Sequence, residues 1–369
     1  MMEVLEPSTR KQTTAEAVLV VDGLDVDIRT PRGTVRVVGN VGFTAYKGQT
    51  LALLGESGCG KSMTARAIAG LLDPVASVAG GRVELEGADL NAMSPRQRRE
   101  VAGPGLGIVF QDALTALNPV YTVGTQLGEA FRIHRGMNKK QALAEAVELM
   151  RRVGIPEPEL RVSAYPHQFS GGMRQRILIA MAVALGPRLL IADEPTTALD
   201  VTVQAQIMQL LRRLREEEDM AVVLITHDLA VVAEEADDVC IMYAGNVVER
   251  GPVATVFSAP THPYTKGLLE SVPTHARRGD DLSSIPGSPP ELQLIPSGCV
   301  YQDRCPIAAQ VCREKRPELR PSGENQFSAC HFSETLSAGA LSTTAAGEPL
   351  ASPRSESTQP ESTQQGENA

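Results

Sequence analysis

Tryptophan is absent, and aromatic residues make up only 4% of the 369 positions. That leaves little material for the base-stacking platforms of single-strand binders. Positive charge is also short. Lys and Arg number 35 against 44 Asp and Glu, a formal net charge of −9. Proteins that hold nucleic acid usually carry a basic excess or stripe, so no nucleic-acid partner is expected. No apolar run approaches the ~18–20 residues that span a bilayer. The best candidate, Ile177 to Leu185, stops at Gly186-Pro187-Arg188. The stretch Met1 to Lys11 carries Glu3, Glu6, Arg10 and Lys11 without an apolar segment, unlike a signal peptide. These gaps predict a cytosolic chain whose role at a membrane is peripheral. In that compartment the six cysteines are not expected to form structural disulfides.

The apolar share is 42% and the charged share 21%, ordinary for a globular chain, and the length suggests two domains. Val18 to Val21 reads as a first strand, and Arg29 to Thr34 as a turn. Leu51–Leu54, Ile108–Phe110, Leu189–Ala192 and Val222–Thr226 are short apolar runs with helical segments between them. Strands alternating with helices predict an α/β fold with a mainly parallel sheet. Ser94-Pro95-Arg96-Gln97 supplies a cap, a Pro at the first helical position and a capping-box Gln. Asn138 and Gln141 begin another helix, with Leu143, Val147 and Met150 as its apolar stripe and Gly154 after its end. After Asp200, residues Ile207, Leu210, Leu211 and Leu214 fall on one helical face, and Arg212 to Asp219 reads as a solvated face. Residues 1–17 are polar and expected to be loose. Residues 333–369 are Ser, Thr, Glu, Gln and Pro with few large apolar groups, a composition that predicts disorder.

Gly55-Glu56-Ser57-Gly58-Cys59-Gly60-Lys61-Ser62 fits the G-x-x-x-x-G-K-S pattern. A strand precedes it and a helix follows, the context in which this motif cradles phosphates. The glycines let the backbone N–H groups turn inward, and the helix start adds favourable dipole charge. Lys61 is placed to reach the β- and γ-phosphates, and the Ser62 hydroxyl to bind Mg²⁺. Cys59 reads as a small filler, since a reactive thiol needs a depressed pKa. A second acidic site follows in Leu189 to Glu194. Asp193 at the strand end can hold Mg²⁺, and Glu194 can act as general base toward water. His227 follows another buried strand, where it can contact the γ-phosphate.

With these residues in place, Val18 to Gly251 resembles the ATP-binding cassette (ABC) family of transporter ATPases. Phe169-Ser170-Gly171-Gly172-Met173 looks like the family signature, whose usual form begins Leu-Ser-Gly-Gly-Gln. Phe169 and Met173 depart from it, while the Ser-Gly-Gly centre is kept. Gln111 matches the Q-loop glutamine, Ala198-Leu199-Asp200 the D-loop, and His227 the switch histidine. The resemblance implies an ABC-type P-loop ATPase with an antiparallel β subdomain and a helical insertion over about 112–170. It implies that Gln111 joins Ser62 and Asp193 around Mg²⁺. Ser170, Gly171 and Gly172 would close in trans over ATP held by a second cassette, and Asp200 would couple the two. The family usually stacks an aromatic ring on adenine near the first strand, and that position is Ile28 here.

Residues 251–332 are rich in Pro and hold Cys299, Cys305, Cys312 and Cys330. From spacing alone, three readings stand: a zinc site lacking the usual short Cys pairs, a 4Fe–4S site, or four unligated buried thiols. His262-Pro263-Tyr264-Thr265, Gly287-Ser288-Pro289-Pro290, Arg304-Cys305-Pro306 and Cys330-His331 resemble the C-terminal region of oligopeptide and dipeptide importer ATPases. That resemblance favours a 4Fe–4S cluster over zinc. It further implies two transmembrane permease subunits, a second ATPase subunit, an extracytoplasmic substrate-binding protein acting indirectly, and residence on the cytoplasmic face of the cell membrane. Importer ATPases for nickel, glutathione or sugars remain open alternatives, as does a soluble ABC protein of nucleic-acid metabolism.

Overall fold

The computed structural model describes residues 16–111, 116–197, 199–271 and 284–337. Ala198, most of the N-terminal stretch, and all of the C-terminal tail beyond residue 337 lie outside these. The strands, in chain order, are β1 (Ala17–Thr30), β2 (Gly33–Tyr46), β3 (Thr50–Leu54), β4 (Ala76–Leu85), β5 (Ala88–Asp89) and β6 (Leu106–Val109). They continue with β7 (Leu189–Asp193), β8 (Ala221–Thr226), β9 (Asp238–Tyr243), β10 (Asn246–Pro252), β11 (Arg320–Gly323) and β12 (Gln326–Ser328).

Among the described residues they form two sheets. An antiparallel sheet runs β2-β1-β4-β5, and a larger one runs β11-β12-β10-β9-β3-β8-β7-β6. Neighbours from β9 through β3, β8 and β7 to β6 are parallel, as the alternating apolar runs predict. Every residue of β3, β7 and β8 is buried, which is why those strands read as unbroken apolar runs rather than as alternation. The turn over Arg29 to Thr34 joins β1 and β2 as a hairpin. A close helix–sheet approach lies at Gly107 of β6, where an added Cβ would lie 2.3 Å from the Ala182 carbonyl oxygen.

Local signals place the helices well. Ser94 and Gln97 form a reciprocal capping box at the head of Pro95–Val101, and Asn138 and Gln141 form another at Lys139–Arg152. The buried face of the second helix keeps Met150 from the expected stripe, with Val147 partly buried against the same core. Ala142, Ala146, Leu149 and Met150 face the core, whereas Leu143 is exposed. The small residues win because Ala142 lies against Gly128 of helix Val123–Arg135, a contact that draws the two backbones close. In helix Val201–Glu218 the expected face Ile207, Leu210, Leu211 and Leu214 is buried. Its charged run is not wholly solvated, because Arg215 is buried and donates to Thr50 Oγ1 at 2.9 Å.

The Pro-rich region past residue 250 does not stand apart. β10 crosses that boundary, and β12 pairs with it, so the C-terminal residues extend the edge of the main sheet. A short helix, Ser333–Ser337, follows, with Ser333 fully buried. The expectation of disorder therefore fails at its first residues. Glu249 of β10 anchors this region. Its buried carboxylate accepts from Thr261 N (2.7 Å), Thr261 Oγ1 (2.8 Å), His262 N (3.1 Å) and Gln326 Nε2 (2.7 Å). Glu249→Ala would remove the shared acceptor of these four donors, of which Thr261 Oγ1 keeps Ser322 Oγ and Gln326 Nε2 keeps the Ala259 carbonyl, and losing a buried charged partner costs about 3 kcal/mol or more. The expected result is a fall of several degrees in melting temperature, read by thermal denaturation; an unchanged melt would show that this hub contributes nothing to stability.

Candidate active site

The phosphate loop leaves β3 at Gly55 and enters helix Lys61–Ala69 at Gly60. Two glycines are required by geometry. At Gly55 a Cβ would meet the Met242 carbonyl oxygen at 2.3 Å and Cys59 Sγ at 2.8 Å. Gly60 sits in left-handed conformation at φ 104°, with the Val37 carbonyl oxygen 3.0 Å from a built Cβ. Lys61 is buried, and its Nζ donates to the carbonyls of Gly55 (2.7 Å) and Glu56 (3.1 Å). Those bonds satisfy an ammonium that burial would otherwise penalise. Burial also pushes the Cys59 thiol pKa up despite nearby Lys61, so Cys59 fills space as a neutral thiol.

The two acidic residues sit at the end of β7, directly over this loop. Ser62 Oγ donates to Asp193 Oδ1 at 3.0 Å, which joins the loop's hydroxyl to the strand-end carboxylate. Burial raises the Asp193 pKa and the adjacent Glu194 charge adds to the rise, while the Ser62 hydrogen bond opposes it. A hydroxyl and a carboxylate side by side are the oxygen donors that Mg²⁺ takes, so these two residues fit that ion. Glu194 lies one step beyond the strand, in left-handed conformation at φ 46°, which is uncommon for a residue with a side chain and typical of functional positions. Its N–H donates to the Ile225 carbonyl at 2.9 Å, tying this backbone to β8.

Three side chains converge on the Glu194 carboxylate. Gln111 Nε2 donates to Oε2 at 2.7 Å, Thr197 Oγ1 donates to the same oxygen at 2.9 Å, and His227 Nδ1 stands 3.4 Å from Oε1. Gln111 and His227 were legible as motif residues. Thr197 was not, because a Thr three residues past a Glu carries no signal of its own. The structure thus brings together Lys61, Ser62, Gln111, Asp193, Glu194 and His227 from four separate stretches of sequence.

The signature residues go elsewhere. Ser170 caps helix Gly171–Val183 by accepting from Met173 N. A Cβ at Gly171 would touch Leu199, and one at Gly172 would come within 2.7 Å of Val203. Asp200 caps the helix that contains Val203. Within this chain the signature therefore packs on the segment around Asp200, and none of its contacts reaches the phosphate loop. Phe169 is buried in the core with Met173 packed against the same cluster, so the two departures from the usual signature are accommodated as apolar contacts. Ile28 lies on β1, paired with Val35 and Ala76, and is partly buried against the second core.

The four C-terminal cysteines are the residues on which the cluster expectation rests. All four are free, and Cys299, Cys312 and Cys330 are buried. Burial pushes the Cys305 pKa up to about 12 and that of Cys330 up to about 11, and neighbouring sulfurs push the same way. Among the described residues, however, no group of three or more His, Cys, Asp or Glu is arranged to hold a metal ion. The expectation of a 4Fe–4S cluster finds no support in this arrangement.

Comparison with known proteins gives the family of the chain. A family model described as ABC transporter matches residues 38–197, and one described as oligopeptide/dipeptide transporter, C-terminal region, matches residues 248–312. The dipeptide transport ATP-binding protein DppD of Escherichia coli (strain K12) is 46% identical over 316 residues, which cover 86% of this chain and 97% of that protein. DppD of Bacillus subtilis (strain 168) is 51% identical over 303 residues, 82% of this chain and 90% of its own length. Among solved structures, a dimeric post-hydrolysis state of the ATP-binding cassette MJ0796 bound to ADP and Pi superposes with a TM-score of 0.58 at 26% identity, covering 64% of this chain and 98% of that one. CbiO1 from Clostridium perfringens, part of the ABC transporter complex cbiONQ, gives a TM-score of 0.56 at 26% identity, over 66% and 91% of the two chains.

Proposed function

Since the chain belongs to the ABC family of transporter ATPases, in its oligopeptide/dipeptide branch, we propose that it is the ATP-hydrolysing subunit that energises import of dipeptides or oligopeptides. The observation that carries this reading is the convergence of the phosphate loop, Asp193 and the clamped Glu194, in a chain whose C-terminal region is of the peptide-transporter type. Loop amides and Lys61 bind the phosphates. Ser62 and Asp193 would hold Mg²⁺, which when bound would supply charge neutralisation at the reacting phosphoryl group. Glu194 takes the proton from the attacking water. Gln111, Thr197 and His227 hold its carboxylate in one orientation, so that its basic oxygen is presented without a search through rotamers.

One chain makes half of the machine in this reading. Ser170, Gly171 and Gly172 form an anion-accepting helix start whose neighbours in this chain are Leu199 and Val203, and in this reading they serve ATP held by a second cassette. The segment from Gln111 to Tyr165 would carry nucleotide state to two permease subunits. No helix among the described residues is long and apolar enough to cross a membrane, which fits a subunit held at the cytoplasmic face by those partners. Ser170→Arg is expected to leave ATP binding by the chain unchanged while lowering turnover of the assembled pair by ~10² or more, the scale for losing a positioned charge-stabilising group. Equal loss in both measurements would place Ser170 in its own chain's site.

The direct test is uptake of a radiolabelled dipeptide by cells in which this gene is deleted. Complementation with the wild-type chain restores uptake, and complementation with Glu194→Gln does not. Uptake that persists undiminished after deletion would end the peptide-import reading, and uptake lost for nickel or a sugar alone would move the substrate.

A further inference from the structure

The phosphate loop carries an acidic side chain of its own, Glu56, in a place built to receive a strongly anionic triphosphate. Left unpaired, that carboxylate would repel the ligand. It is not left unpaired. Arg304, which lies 248 positions further along the chain, donates through Nη1 to both Glu56 carboxylate oxygens at 3.1 and 2.9 Å. The guanidinium is itself fixed from the C-terminal side, with Nε donating to the Pro286 carbonyl at 2.8 Å. Its side chain is only 7% exposed and that of Glu56 26%, so the pair is screened less than one on the open surface.

A second contact reaches the same residue. The Glu56 N–H donates to the Tyr264 hydroxyl at 3.1 Å. Tyr264 is fully buried and packs its ring on Tyr243 and Tyr301, with centroids at 4.7 and 5.4 Å. Three of the six tyrosines in this aromatic-poor chain therefore meet under one loop residue. The third polar group of Glu56, its carbonyl, accepts from Lys61 Nζ. Side chain, N–H and C=O of one loop residue are held by three different groups, and two of those groups come from beyond residue 250.

We propose that Arg304 and Tyr264 are positioning residues for ATP, through which the C-terminal region fixes the phosphate loop and neutralises its acidic residue. The inference rests on the ATPase reading of that loop and adds a link that the loop motif alone does not require. Arg304 removes the local repulsion between Glu56 and the phosphates, and Tyr264 fixes the direction of the peptide that presents its carbonyl to Lys61. Because the coupling is thermodynamic it is reciprocal. ATP steadies the C-terminal packing to the extent that the packing favours ATP.

The test is calorimetric titration of the full-length chain with MgATP in a double-mutant cycle. Arg304→Ala is expected to raise the Kd about tenfold, the scale for losing hydrogen bonds to a charged group. In a Glu56→Gln background the same substitution is expected to change Kd by about twofold or less, since the neutral amide no longer needs a counter-charge. An unchanged Kd in Arg304→Ala, or an equal loss in both backgrounds, would overturn the proposal and leave Arg304 with C-terminal packing alone. Should Arg304→Ala fail to fold, Tyr264→Phe removes only the hydroxyl. A Kd raised about threefold, within the range of one hydrogen bond, supports the link, and an unaltered Kd sinks it. Wild-type chain that binds no MgATP would instead refute the ATPase reading underneath.

Discussion

Glu194→Gln is expected to lower ATP turnover by ~10²–10⁴, the range contributed by a positioned general base, while MgATP binding is retained. The substitution is close to isosteric, and its amide oxygen can still accept from Gln111 Nε2 and Thr197 Oγ1. It cannot accept the water proton as a carboxylate does. Binding is spared because Lys61, Ser62 and the loop backbone are untouched and Glu194 makes none of their contacts. In the assembled importer the outcome is a pair of cassettes held closed on unhydrolysed ATP. Single-turnover hydrolysis separates the chemical step from product release. Turnover within a few-fold of wild type would remove Glu194 from the chemistry and leave its strained backbone and threefold clamp without a purpose.

Lys61→Ala is expected to weaken MgATP binding by about 10² or more, because a buried charge paired with phosphate is lost. The effect has two sources. The ammonium no longer meets the β- and γ-phosphates, and the loop loses the bonds from Nζ to the Gly55 and Glu56 carbonyls that shape it. Lys61→Met separates them from the contribution of the buried alkyl stem, since it keeps apolar volume and removes both charge and donors. Ligand-induced thermal shift is a sensitive reading, as stabilisation by ATP scales with the logarithm of concentration over Kd. The melt of each variant without nucleotide sets its own baseline, and both should lose most of the ATP-dependent shift. A shift of wild-type size would take Lys61 out of the binding site.

These two predictions and the Arg304 cycle divide the site by origin. In the proposed mechanism Lys61 and Glu194 act on ATP from within the cassette. Arg304 and Tyr264 act from the C-terminal region on a loop residue, Glu56, whose acidity makes the contact necessary. The Glu249 hub stands behind them. By gathering Thr261, His262 and Gln326 around one buried carboxylate, it fixes the chain just ahead of Tyr264, so its stability prediction and the Arg304 prediction test adjoining parts of one connection.

The sequence by itself determined the elements and the chemistry that local rules encode. Capping boxes at Ser94 and Asn138 work within a single helical turn. Buried strands β3, β7 and β8 appear as unbroken apolar runs because both of their faces are covered. The loop from Gly55 to Ser62 needs small residues and a Lys at fixed spacing, since backbone amides must approach phosphate closely. Only the tertiary structure decided what depends on contacts between distant segments. The buried face of Lys139–Arg152 went to Ala142 and Ala146 instead of Leu143, because close helix approach at Gly128 outweighs side-chain size. Thr197 joined Gln111 and His227 on Glu194 because the left-handed turn after β7 aims the carboxylate at all three. Cys299, Cys312 and Cys330 are buried while Cys305 is partly exposed, a difference that spacing along the chain cannot show. Arg304 met Glu56 across 248 positions, a pairing fixed by the packing of three tyrosines and the added strands of the sheet edge, since an ion pair leaves no periodic mark in sequence.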